Sequence, residues 1–142
     1  MILSISAPFW QVEKWTHSWR HRVCLIEGLT CIQGQTHYNG STPTAIVVDA
    51  TIAPIVLRLN ELGHTTQFSC SGLKEDHDDP RWGHFDGTHW AYLAFDQCDP
   101  TLAPRGVVVQ DTHHVHWTFS RQLTHLRTQW EELAARLGVE LL

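Results

Sequence analysis

Residues Gln67 to Pro80 read QFSCSGLKEDHDDP, and this stretch gathers a thiol, two hydroxyls, four carboxylates and an imidazole. Cys70 lies between Ser69 and Ser71, and Gly72 follows. Glycine permits a backbone turn with positive φ, and successive N–H groups in such a turn form a concave anion site. A thiol exposed there has its pKa lowered and serves as nucleophile or ligand. Cys70 and His77 are therefore the candidate catalytic residues, with Ser69, Ser71 and Gly72 as candidate ligand-binding positions. Serine and glycine also simply make turns, so a small buried residue at a strand end is the other reading of Cys70.

Lys74 to Trp90 carries Glu75, Asp76, Asp78, Asp79 and Asp86 together with His77, His84 and His89. Carboxylates with imidazoles suit zinc, manganese or iron, and a catalytic zinc site needs about three convergent protein ligands. The candidate ligands are His77, His84, His89 and Asp76, with Cys70 flanking the same turn. No spacing here matches a strong metal motif, and a solvated acidic loop explains the same composition. His64-Thr65-Thr66 and His116-Trp117-Thr118 form two His-x-Thr motifs. Such a pair resembles the 2H phosphoesterase superfamily, in which facing imidazoles act as general acid and base on a phosphodiester. Trp10 to Arg22 interleaves Trp10, Trp15 and Trp19 with Lys14, Arg20 and Arg22. That mixture suits a nucleotide or single strand, but the apolar stripe through Phe9, Val12 and Trp19 favours an amphipathic helix with buried tryptophans.

The stretch DATIAPIVLRLNELGHTTQFSCSGLKEDH, Asp49 to His77, resembles a pattern in small uncharacterised bacterial and phage proteins. It runs from an acidic helix start through Leu-Asn, Gly and Thr to a Ser/Cys-Cys-Ser-Gly turn, and WAYLAF at Trp90 to Phe95 completes it. The arrangement is also distantly similar to the wybutosine-synthesis tRNA methyltransferase family. That resemblance implies S-adenosylmethionine as cofactor, a role in RNA modification, and Thr66, Ser69, Cys70, Ser71 and Gly72 as site residues. The position after the glycine, basic in that family, is Leu73 here.

The elements that must hold these residues follow from periodicity. Pro8 opens a predicted helix along Phe9, Val12, Thr16, Trp19 and Val23. Arg22 to Ile32, broken at Gly28, suggests a short strand pair, and Gln33 to Pro43 a polar loop. Ala45 to Val48 reads as a buried strand, and Ile52, Val56 and Leu59 as one helical face with Thr51 as N-cap and Gly63 as stop. Thr65 to Ser69 and Ala91 to Phe95 read as strands, with Thr66 and Phe68 on opposite faces of the first. Val107 to Gln110 and Val115 to Phe119 form a hairpin around Asp111 to His114. Ser120 caps a last helix carrying Leu123, Leu126, Trp130, Leu133 and Leu137, which Gly138 stops. The expected fold is a single α+β domain over residues 1–142, its mixed or mostly antiparallel sheet packed against about three helices.

Composition narrows the function. A net charge of −5 argues against a general polyanion binder. No apolar run is long enough to span a bilayer, the N-terminus lacks a secretory pattern, and four dispersed cysteines include no CxxC pair. The expectation is a cytoplasmic protein with free thiols and no membrane partner. Its expected ligand is a small anionic or nucleotide-like molecule, with S-adenosylmethionine or a divalent metal as cofactor. The alternatives are a metal-dependent or 2H-type phosphoesterase and a non-catalytic interaction protein.

Overall fold

A computed structural model describes residues 4–5, 9–14, 18–27, 45–78, 91–111 and 115–142. Its strands are β1 (Ser4–Ile5), β2 (Phe9–Lys14), β3 (Ser18–Glu27), β4 (Ala45–Asp49), β5 (Thr66–Cys70), β6 (His77–Asp78), β7 (Tyr92–Phe95), β8 (Val108–Asp111) and β9 (Val115–Thr118). Its helices are α1 (Ala53–Glu61) and α2 (Leu123–Leu137), so the described residues hold two helices rather than the expected three.

The correction lies at the N-terminus. Phe9, Val12, Trp19 and Val23 match a helical period, but this segment is rich in aromatic and β-branched residues, which favour a pleated strand. Phe9 and Val23 are in fact cross-strand partners, as are Trp10 and Arg22. The long strand β3 organises the first sheet. One of its edges carries β2 and β1, and the other carries β4 and β6. Trp15, the polar stretch Gln33 to Pro43 and the turn at His113 and His114 lie outside the described residues.

The second sheet has four strands in the order β5-β7-β9-β8. Every pairing in both sheets is antiparallel. Its inner face presents Leu93, Phe95 and Trp117 to one core with Ile26 and Val48 of the first sheet, Ile55 and Leu59 of α1, and Leu126, Trp130 and Leu133 of α2. The apolar stripes of α1 and α2 are largely buried, although Leu62 and Leu123 at their ends are exposed. A register shift in β5 between Thr66 and Phe68 puts Thr66 inside and leaves Phe68 exposed.

The α1-to-β5 joint explains much of the motif that precedes Cys70. Gly63 takes φ +91, closing the helix as expected. Asn60 Nδ2 donates to Thr66 Oγ1 at 2.9 Å, and Thr66 N–H donates to Asn60 Oδ1 at 3.2 Å. This clasp fixes how β5 leaves the helix. Thr51 is not the N-cap; Ile52 occupies that position without a side-chain cap. Ser120 Oγ accepts from Gln122 N–H just ahead of α2, where Gln122 is the N-cap.

Candidate metal centre

The pairing register of β3 brings two distant residues together. Val23 pairs with Asp49 at the end of β4, and His21 pairs with His77 at the start of β6. Positions two apart on a strand share a face, so Asp49 and His77 project to the same side. His77 Nε2 lies 3.3 Å from Asp49 Oδ2. Cys70 arrives from the other sheet, at the end of β5, and its Sγ is 3.8 Å from His77 Nε2. One donor atom from each of Asp49, Cys70 and His77 falls within 4.8 Å of the others. Asp49 and His77 are buried. Cys70 is half-buried as a residue, with its thiol turned into the cluster.

The turn after Cys70 is held from several sides. Ser71 N–H donates to Asp49 Oδ2 at 2.7 Å, and Trp130 Nε1 of α2 donates to the Ser71 carbonyl at 2.8 Å. Gly72 takes φ +66, where an added Cβ would meet Ala91 Cβ at 2.8 Å. Leu73 N–H donates to Ser71 Oγ at 3.2 Å. The Ser71 and Leu73 amides are therefore directed to protein acceptors, and carboxylates crowd the place where an anion would sit. The surroundings favour a cation.

Asp76, expected as a metal ligand, braces the site instead. Its Oδ1 accepts from Thr51 N–H at 3.2 Å, Thr51 Oγ1 at 2.9 Å and Arg22 Nη1 at 3.2 Å. Its Oδ2 accepts from Ser71 Oγ at 2.7 Å. Burial and the nearby Asp49 charge push this carboxyl up to about 6, against the Ser71 and Thr51 hydrogen bonds. The Arg22 guanidinium also favours the charged form, so Asp76 is ionised at neutral pH. Asp76 and His77 are buried, which corrects the reading of this segment as solvated loop. A 3₁₀ turn over Lys74–Asp76 leads into β6 and turns both side chains inward.

His77 Nδ1 lies 2.7 Å from the Leu73 carbonyl, which can only accept, so Nδ1 carries a proton. Burial opposes a charged imidazole, but Asp49 beside it prevails and pushes His77 up to about 11. Burial also raises the Cys70 thiol, against the lowering effect of its His77 hydrogen bond. This corrects the expected low thiol pKa. The cluster thus rests as an imidazolium–carboxylate pair beside a neutral thiol. A nucleophile relay places the acid and the thiol on opposite nitrogens of the imidazole. Here both face Nε2.

One nitrogen, one sulfur and one carboxylate oxygen around a common point are ligands for a transition metal. Ligands bound tetrahedrally to zinc, with bonds of about 2.0 to 2.3 Å, stand roughly 3.3 to 3.6 Å apart. Two of the observed separations, 3.3 and 3.8 Å, lie close to this range, and the third is within 4.8 Å. Metal-ligating histidines characteristically donate their other N–H to a carbonyl or carboxylate, as His77 does to Leu73.

The structure thus joins Cys70 and His77, and adds Asp49, the carboxylate that closes the apolar run of β4. Tyr92 is the cross-strand partner of Cys70 and borders the site. Burial, followed by the charges of Cys70 and Asp49, pushes its phenol up to about 12. Ser69 is buried beside Cys70, and Thr66 belongs to the Asn60 clasp. His84 and His89 lie outside the described residues. His116 stacks on Tyr92 with ring centroids 5.5 Å apart, and its Nδ1 is 3.2 Å from Thr118 Oγ1. The register aligns His116 with Ala94 and Phe68, whereas His64 lies in the turn before β5. No family model, curated protein or solved structure matches the chain.

Proposed function

We propose that this protein is a metal-dependent hydrolytic enzyme whose zinc-like ion is held by Asp49 Oδ2, Cys70 Sγ and His77 Nε2. The observation that carries this reading is the convergence of those three atoms while His77 Nδ1 is already committed to Leu73 O. A carboxylate, a thiolate and a neutral imidazole balance the charge of a divalent cation. Three protein ligands leave a fourth position for water, whose pKa such an ion lowers to about 7. Asp76, Thr51 and Ser71 hold the turn in register, and Ser71 N–H orients the Asp49 carboxylate. Among the described residues, no helix is long and apolar enough to cross a membrane.

The test is elemental analysis of zinc-supplemented protein, followed by an esterase assay with p-nitrophenyl acetate. About one zinc per chain is expected, with hydrolysis abolished by a chelator and by His77→Ala. Absence of tightly held metal contradicts the site. Stoichiometric metal with no chelator-sensitive hydrolysis contradicts the enzymatic role and leaves the site standing.

A further inference from the structure

The loop after the 3₁₀ turn Pro100–Leu102, the end of β9 and the exposed flank of α2 line an open cavity of about 730 Å³. Its walls are mainly apolar, with Val108 and Phe119 contributing, and Arg105, His125 and Glu132 also line it. The volume lies within the range of small-molecule sites, which are about 300 to 1,000 Å³. The floor is fixed. Gln129 is 6% exposed, its Oε1 accepts from Ser120 N–H at 2.7 Å, and its Nε2 donates to the Arg105 carbonyl at 3.1 Å. Those two bonds tie α2 to the chain on both sides of the cavity.

The charges here are not balanced. Glu132 Oε1 is matched by Arg136 Nη2 at 2.8 Å, and its Oε2 accepts from Arg105 N–H at 3.3 Å. The Arg105 guanidinium has no partner among the described residues. His125 adds an imidazole to the same lining. One unmatched cation beside apolar walls complements an anion with an apolar body.

We infer that this cavity binds a small carboxylate-bearing molecule, its apolar body against Phe119 and Val108 and its carboxylate paired with Arg105. The site is separate from the Asp49, Cys70 and His77 cluster and does not depend on a metal there. A bound ring would also be reported optically, because Phe119 stacks on Trp130 with centroids 3.9 Å apart.

The experiment is a tryptophan-fluorescence and calorimetric titration of the full chain with phenylacetate, with phenylacetamide as its uncharged counterpart. Saturable phenylacetate binding is expected, weakened about tenfold or more in the amide and in Arg105→Ala. Arg105→Lys should recover part of the loss, and His77→Ala should leave the affinity unchanged. No saturable phenylacetate binding, equal affinity for acid and amide, or an unchanged Arg105→Ala variant would each overturn the assignment. Circular dichroism of the Arg105 variants controls for folding, and their fold should persist because Arg105 is exposed.

Discussion

At the scale of single residues, the candidate centre is governed by where protons sit. In the metal-free chain His77 holds protons on both nitrogens and Cys70 is a neutral thiol. A metal ion bound by these atoms would displace the Nε2 proton and the thiol proton together. Apparent zinc affinity should therefore rise about hundredfold per pH unit below both pKa values, and about tenfold in Cys70→Ser, in competition with a chromophoric chelator. A flat profile would contradict the assignment of these ligands. The same proton has a consequence for stability. His77 titrates at 6.5 when unperturbed and at about 11 in the fold. The folded state binds the extra proton between those values, so its contribution is complete below about pH 6.5 and is lost as the pH rises towards 11. Urea unfolding of metal-free protein should lose up to about 1.4 kcal/mol per pH unit across that window. His77→Gln should flatten the slope.

At the scale of elements, the β5 turn is set by contacts that the motif only partly announces. Gly72 and Gly63 both have positive φ, but their surroundings differ. A Cβ at position 63 meets nothing within 4 Å, whereas at 72 it collides with Ala91 and Leu126. Gly72→Ala should cost about 2 to 4 kcal/mol, and Gly63→Ala about 1 kcal/mol, read as shifts in urea midpoint. Equal costs would show that close packing at Gly72 is not what requires the glycine. The sequence marked the turn, the α1 stop and the α2 stop, because glycine and helical apolar stripes are local signals. It misled at β2 and β3, where aromatic and β-branched residues fell by coincidence at helical intervals. Asp49 was the candidate ligand hardest to read. Its role depends on β3 pairing Val23 with Asp49 and His21 with His77, and such long-range register has no local trace.

At the scale of the whole molecule, the two sheets and both helices share one core, and the candidate centre lies where β4, β5 and β6 meet. The fold class was legible because alternating and helical patterns add up over many residues. Burial of Asp76 and His77 was not, since an acidic, histidine-rich segment looks solvated until tertiary partners are known. The candidate centre joins residues from both sheets, so an ion bound there would link them. Saturating zinc should raise the melting temperature by about 2 to 8 °C, and Asp49→Asn should remove that gain. The most direct test of the central claim is a cobalt(II) titration followed by absorption spectroscopy. A metal centre at Asp49, Cys70 and His77 should give a thiolate-to-cobalt charge-transfer band that saturates at about one equivalent, with visible bands of four-coordinate geometry. Both should be abolished in His77→Ala, and the charge-transfer band should be lost in Cys70→Ser. A chain that shows no such band, or a band unchanged in Cys70→Ser, would contradict a metal centre at Asp49, Cys70 and His77.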